Sequence, residues 1–145
     1  MSKQMKYSVF HLILWSIVGI LFLIIFISQD AINNWGDNKI KSIMLALLFI
    51  FGFGGEYILR FIFRKKPNMI IRDERDDKIL AKALGSSFVG TILYIYLISI
   101  SLYIRYEQSG FVPVGWLWFI AYSLIVIANI FTSIFSIIFY RSEGE

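Results

Sequence analysis

Arg72-Asp73-Glu74-Arg75-Asp76-Asp77-Lys78 is a dense run of charge set between two apolar hairpins of similar length. Read outward from this run, the chain divides into apolar blocks at Tyr7–Ser28, Ile43–Phe63, Leu84–Ile104 and Val114–Phe139. Each is close to the ~20 residues that cross a bilayer as a helix. At 145 residues the length would fit one soluble domain, but 58% of the residues are apolar and 18% aromatic. So small a domain has too much surface to hide that load. Backbone groups in lipid must pair within their own segment, so each block is expected to be a helix. The blocks lack the apolar–polar alternation of a β-barrel. The expected fold is all-α: an integral membrane four-helix bundle, one domain over residues 1–145.

Lys and Arg placement sets the expected orientation. Lys3, Lys6, Arg60, Arg64, Lys65, Lys66, Arg72, Arg75, Lys78, Lys82 and Arg141 would share one side, against Lys39, Lys41 and Arg105 on the other. Both termini and the charged segment 64–83 are therefore expected in the cytoplasm, as for a multi-pass protein of the cell membrane. Trp35, Trp116 and Trp118 would form an outer aromatic belt, with Tyr7 and Tyr140 at the inner interface. Lys3 and Lys6 ahead of an apolar run imitate a signal peptide. That run is too long for one, and Ser28-Gln29-Asp30 is a poor cleavage site, so it is expected to stay as the first span. Asn33, Asn34 and Gly36 in one outer loop, and Gly110 and Pro113 in the other, are residues that turn readily.

The net charge of +4 could suggest nucleic acid. Its concentration at the inner face points instead to anionic lipid headgroups. There is no cysteine, and His11 is the lone histidine. Thiolate and multi-histidine metal sites within one chain are thereby excluded, and no cofactor is expected.

In the charged segment, Pro67 should end the helix leaving span two, and Met69, Ile70 and Ile71 make a short apolar patch. From Asp73 the pattern turns helical. Acids fill a first turn, where they suit the positive end of the helix dipole, and Glu74–Lys78 has the favourable i,i+4 order. Ile79, Leu80, Ala83 and Leu84 then lead into span three without a breaker, so that helix should extend into the cytoplasm.

Asp73-Glu74-Arg75-Asp76, with Ile79 and Lys82-Ala83 at the mouth of a span, resembles small uncharacterised prokaryotic four-span membrane proteins. Those carry a cytoplasmic Asp-Glu-Arg motif before a transmembrane helix. The resemblance covers the motif and the four-span layout; it implies that the segment matters and brings no chemistry with it. Asp73, Glu74, Arg75, Asp76, Asp77 and Lys78 are the candidate partner-binding residues. Asp73, Asp76 and Asp77 share a helical face and could also suit a divalent cation, but Arg75 and Lys78 already neutralise them. The bland reading is a capped, solvated helix.

The second feature is Glu56, an acidic residue well inside a span, which must face protein or water. Ser87 and Thr91 on span three, Asn129, Thr132 and Ser133 on span four, and Ser16 on span one count off to a similar depth. His11 counts about a turn and a half nearer the cytoplasm. These groups are expected to meet in one inner-leaflet polar layer. Gly52 and Gly55 would let Ala83, Ser86, Ser87 and Gly90 approach closely. The layer reads as interhelical glue with a Glu56–Arg60 pair, as a proton- or cation-coupled site with His11 as a relay, or as a socket for another membrane helix.

No span contains an Asp, and no Ser–His arrangement falls at matched depth, so enzyme chemistry is not expected. The function expected is that of a non-enzymatic regulatory, immunity or accessory partner, acting through the charged segment. The alternative is a small proton- or cation-coupled transporter centred on Glu56. Self-association is compatible with so thin an outer surface, and nothing in the sequence requires it.

Overall fold

A computed structural model describes residues 3–36, 39–63 and 74–142. They form four helices: α1 (Lys3–Ser28), α2 (Lys39–Phe63), α3 (Glu74–Tyr106) and α4 (Gly115–Ser142). All four are long and apolar enough to cross a membrane. Pro67, the patch Met69–Ile71, Arg72 and Asp73 lie outside the described residues.

The helices run alternately up and down. At one end, Ala31 and Ile32 press on Gly115, where an added Cβ would lie 2.3 Å from the Ile32 carbonyl oxygen. Only a glycine admits so close a backbone approach. At the other end Tyr7 meets Phe63, ring centroids 6.1 Å apart, and the Tyr140 hydroxyl donates to Asp76 Oδ1 at 3.0 Å.

Extended packing joins α1 to α2, α1 to α4, and α3 to α4. The neighbour order is therefore α2–α1–α4–α3. Helix α1 owes its central place to a stripe at alternating three- and four-residue spacing: Ser8, His11, Trp15, Val18, Phe22 and Ile25, all buried. That spacing keeps one seam facing its neighbours along the whole helix. Phe22 and Phe26 there join Phe49 of α2 and Phe119 and Tyr122 of α4 in an aromatic core.

Helix α3 is held differently. It runs unbroken through 33 residues, about 50 Å at 1.5 Å per residue. The hydrocarbon core of a bilayer is ~30 Å thick, so α3 is longer than a single crossing needs. Its buried residues are Ile79, Ala83 and Ser87, one turn apart, and Gly90 receives the Phe131 ring of α4.

The expected contact of Gly52 and Gly55 with this small face of α3 does not form. Gly52 faces Trp15 and Val18, and Gly55 faces Leu14, all on α1. Gly52 makes room for the indole of α1, while Gly90 makes room for a phenyl ring of α4.

The loop end is packed more firmly than a belt of interfacial anchors requires. Trp35 stacks on Trp118 with centroids 5.2 Å apart and planes 14° from parallel, and also on Phe26. Trp116 donates its indole N–H to the Tyr106 hydroxyl at 2.8 Å. Lys41, expected as an outer-loop charge, is fully buried. Its ammonium group donates to the Asn34 carbonyl and lies 5.6 Å from the Trp35 ring centre. Asp30, at φ 41°, ends α1 in a turn whose carboxylate accepts from the side-chain amides of Asn33 and Asn34 at 2.9 and 3.2 Å.

Candidate functional site

The polar groups in the half of the bundle that holds Tyr7 and Phe63 form two separate clusters, where a single layer was expected. The first joins α1, α2 and α4. His11 Nδ1 lies 2.7 Å from Ser133 Oγ, and the Trp15 indole N–H donates to His11 Nε2 at 3.2 Å. Glu56 Oε2 is 3.7 Å from His11 Nε2, while its other oxygen accepts from Arg60 one turn away. Tyr7 stacks on His11 at 5.6 Å and stands next to the Arg60 guanidinium. His11, Glu56 and Ser133 are all buried, whereas the Arg60 side chain is 69% exposed.

His11 thus stands level with Glu56, not a turn and a half below it. Helix α1 begins at Lys3, a full turn before the expected boundary at Tyr7. That places His11 about 12 Å inside its helix end, and Glu56 about 10 Å inside the end of α2. Ser16, counted into this layer, is not among the residues that the cluster brings together.

The second cluster joins α3 to α4. Ser87 donates to the Ala128 carbonyl at 2.9 Å, and Thr132 lies 3.0 Å from Ser87 Oγ. Thr91 and Asn129, expected in the shared layer, bond back to their own helices, at the carbonyls of Ser87 and Ile125. Hydroxyl and amide groups in a helix interior have the carbonyl four residues back as a ready partner. Membership of a polar stripe therefore does not make a residue an interhelical contact. Near the loop end, Tyr94 donates to Ser123 at 2.6 Å, a tie that polar spacing alone did not single out.

Ser133, His11 and Glu56 correct the expectation that serine and histidine nowhere meet at matched depth. The residue types are those of a nucleophile, a base and an acid. Ser133 is 2% exposed and donates its hydroxyl proton to the Asn129 carbonyl at 2.9 Å. The three side chains link α4, α1 and α2.

At the start of α3, Glu74, Arg75, Asp77 and Lys78 are exposed, Asp76 is half-buried and Ile79 is fully buried. Tyr140 holds Asp76 from α4, and Lys78 lies 3.9 Å from Glu74 across one turn. Asp76 and Asp77 consequently point to different neighbourhoods. Among the described residues, no group of three or more His, Cys, Asp or Glu side chains gathers where it could hold a metal ion. Asp73, the remaining member of the segment, lies outside the described residues.

No family model matches the chain, and neither a curated protein nor a solved structure matches it.

Proposed function

We propose that this is a non-enzymatic multi-pass protein of the cytoplasmic membrane, with both termini inside. It acts as a regulatory or accessory partner through the charged start of α3, of which Asp73 is the expected first member. The observation that carries this reading is the way the projecting turns are held. Ile79 and Ala83 are buried and Tyr140 ties Asp76 to α4, while Glu74, Arg75, Asp77 and Lys78 face outward. A helix end clamped on one face and charged on the other is a preorganised docking element, which lowers the ordering cost of association. Basic residues flanking it would meet anionic headgroups, worth about 1 kcal/mol each near the surface.

A photocrosslinker at position 77 tests this, with a second at buried position 79 as control. One dominant adduct from 77, absent from 79 and lost on combined Glu74→Lys and Asp77→Lys reversal, is the expected result. Adducts from both positions that ignore the reversal would contradict docking through this surface.

Coupled transport centred on Glu56 is the second reading, favoured by the proximity of Glu56 to His11. It requires water to reach the carboxylate from both sides of the membrane. The packed helices around the cluster favour the first reading.

A further inference from the structure

Donor and acceptor chemistry fixes how His11 is protonated. The Trp15 indole nitrogen is donor-only and points at Nε2 from 3.2 Å, so Nε2 offers a lone pair. The ring proton then sits on Nδ1, and Ser133 Oγ, 2.7 Å away, accepts it. The Ser133 hydroxyl is left to donate to the Asn129 carbonyl. His11 is therefore neutral in this structure, with its proton on Nδ1. The same bare Nε2 lies 3.7 Å from Glu56 Oε2, so two lone-pair-bearing atoms face each other with no proton between them.

We infer that His11 Nε2 and Glu56 Oε2 form a proton-binding site, filled by one proton from water at the inner face. The incoming proton forms an N–H bond at the Nε2 lone pair. His11 then donates to Glu56 as an ion pair, and the Trp15 indole loses its acceptor. Nε2 can accept from Trp15 or donate to Glu56, and it cannot do both. The two protonation states are thus two different hydrogen-bond patterns between α1 and α2.

The groups around the ring fit this exchange. From α1, Tyr7 stacks on the imidazole, an aromatic face that favours a cation. From α2, Glu56 attracts the added charge, while Arg60 opposes it and stays paired with the other carboxylate oxygen. From α4, Ser133 accepts from Nδ1 in both states and steadies the ring. Arg60, largely exposed beside buried Glu56, marks the side from which the proton arrives. The inference is independent of docking at α3, since α3 takes no part in this cluster.

The reporter is built in, because Trp15 is fully buried and its indole N–H donates directly to His11 Nε2. The full chain, reconstituted in lipid nanodiscs with ¹⁵N-labelled indoles, would be titrated by NMR across about pH 5 to 9, where an imidazole changes charge. The expected result is that the Trp15 indole N–H moves in a single-proton transition, while Trp35, Trp116 and Trp118 do not follow it. His11→Gln abolishes the transition. Glu56→Gln weakens proton binding and moves the transition to lower pH. A Trp15 signal that stays flat in the unmodified chain would overturn the site. So would a transition that survives His11→Gln, or one that Glu56→Gln leaves in place. Unchanged Trp35 and Trp118 signals confirm that each variant is folded.

Discussion

Helices α1 and α3 are both apolar enough to cross a membrane, yet the protein buries them to opposite extents. In the most apolar stretch of α1, 33% of residues are buried inside the protein; in that of α3, 6% are. Hydrophobicity carries a helix into the bilayer, where lipid is as apolar as leucine and gives no reason to leave it. What brings a helix into contact with its neighbours is shape and polarity. Helix α1 offers a continuous seam of Trp15, Phe22 and Phe26 with His11 toward its N-terminal end. Helix α3 offers a narrow strip of Ile79, Ala83, Ser87 and Gly90, and leaves Phe88, Ile92, Tyr96 and Tyr103 exposed.

The largest test of this contrast compares two phenylalanines. Phe22 is 2% exposed and Phe88 is 67% exposed. Phe22→Ala should cost about 3 kcal/mol or more through the cavity it leaves. Phe88→Ala, on the exposed face, should stay within about 0.5 kcal/mol. Equilibrium unfolding in mixed micelles measures both, and equal losses would erase the distinction between the helices.

Two glycines then separate the faces of α3. A Cβ at Gly90 would meet Phe131 at 2.8 Å, whereas nothing lies within 4 Å of one at Gly85. Gly90→Ala should destabilise by about 1–3 kcal/mol through overpacking. Gly85→Ala should be neutral or stabilise by up to about 1 kcal/mol, because alanine suits a helix better. The thermal midpoint should fall for the first and not for the second.

The smallest effect concerns the polar ties. Tyr94→Phe removes the hydrogen bond to Ser123 and should cost about 0.6 kcal/mol, the average for such bonds between membrane helices. A double-mutant cycle with Ser123→Ala should return that coupling. A value near zero would mean that packing alone holds α3 to α4.

The apolar runs make four helices legible in the sequence, because lipid leaves the backbone few alternatives. The continuity of α3 is legible too, since no breaker stands between Glu74 and Leu84. The neighbour order is not. Gly52 and Gly55 signal close approach without saying to what, and Trp15 and Leu14, the residues they admit, carry no mark in the hydropathy pattern. The meeting of His11 with Glu56 is hidden by a helix that starts one turn earlier than its apolar run. Asn129 and Thr91 look like interhelical groups by depth, but a hydroxyl or amide can always turn back to its own helix.

Because the chain contains no cysteine, an introduced pair reports on its own proximity alone. The most direct test of the architecture sets Ser87→Cys with Thr132→Cys against Ser87→Cys with Gly52→Cys, each oxidised in native membranes. The account predicts a disulfide in the first pair, whose native side chains touch at 3.0 Å, and none in the second. A bond between positions 87 and 52, without one between 87 and 132, would contradict the order α2–α1–α4–α3.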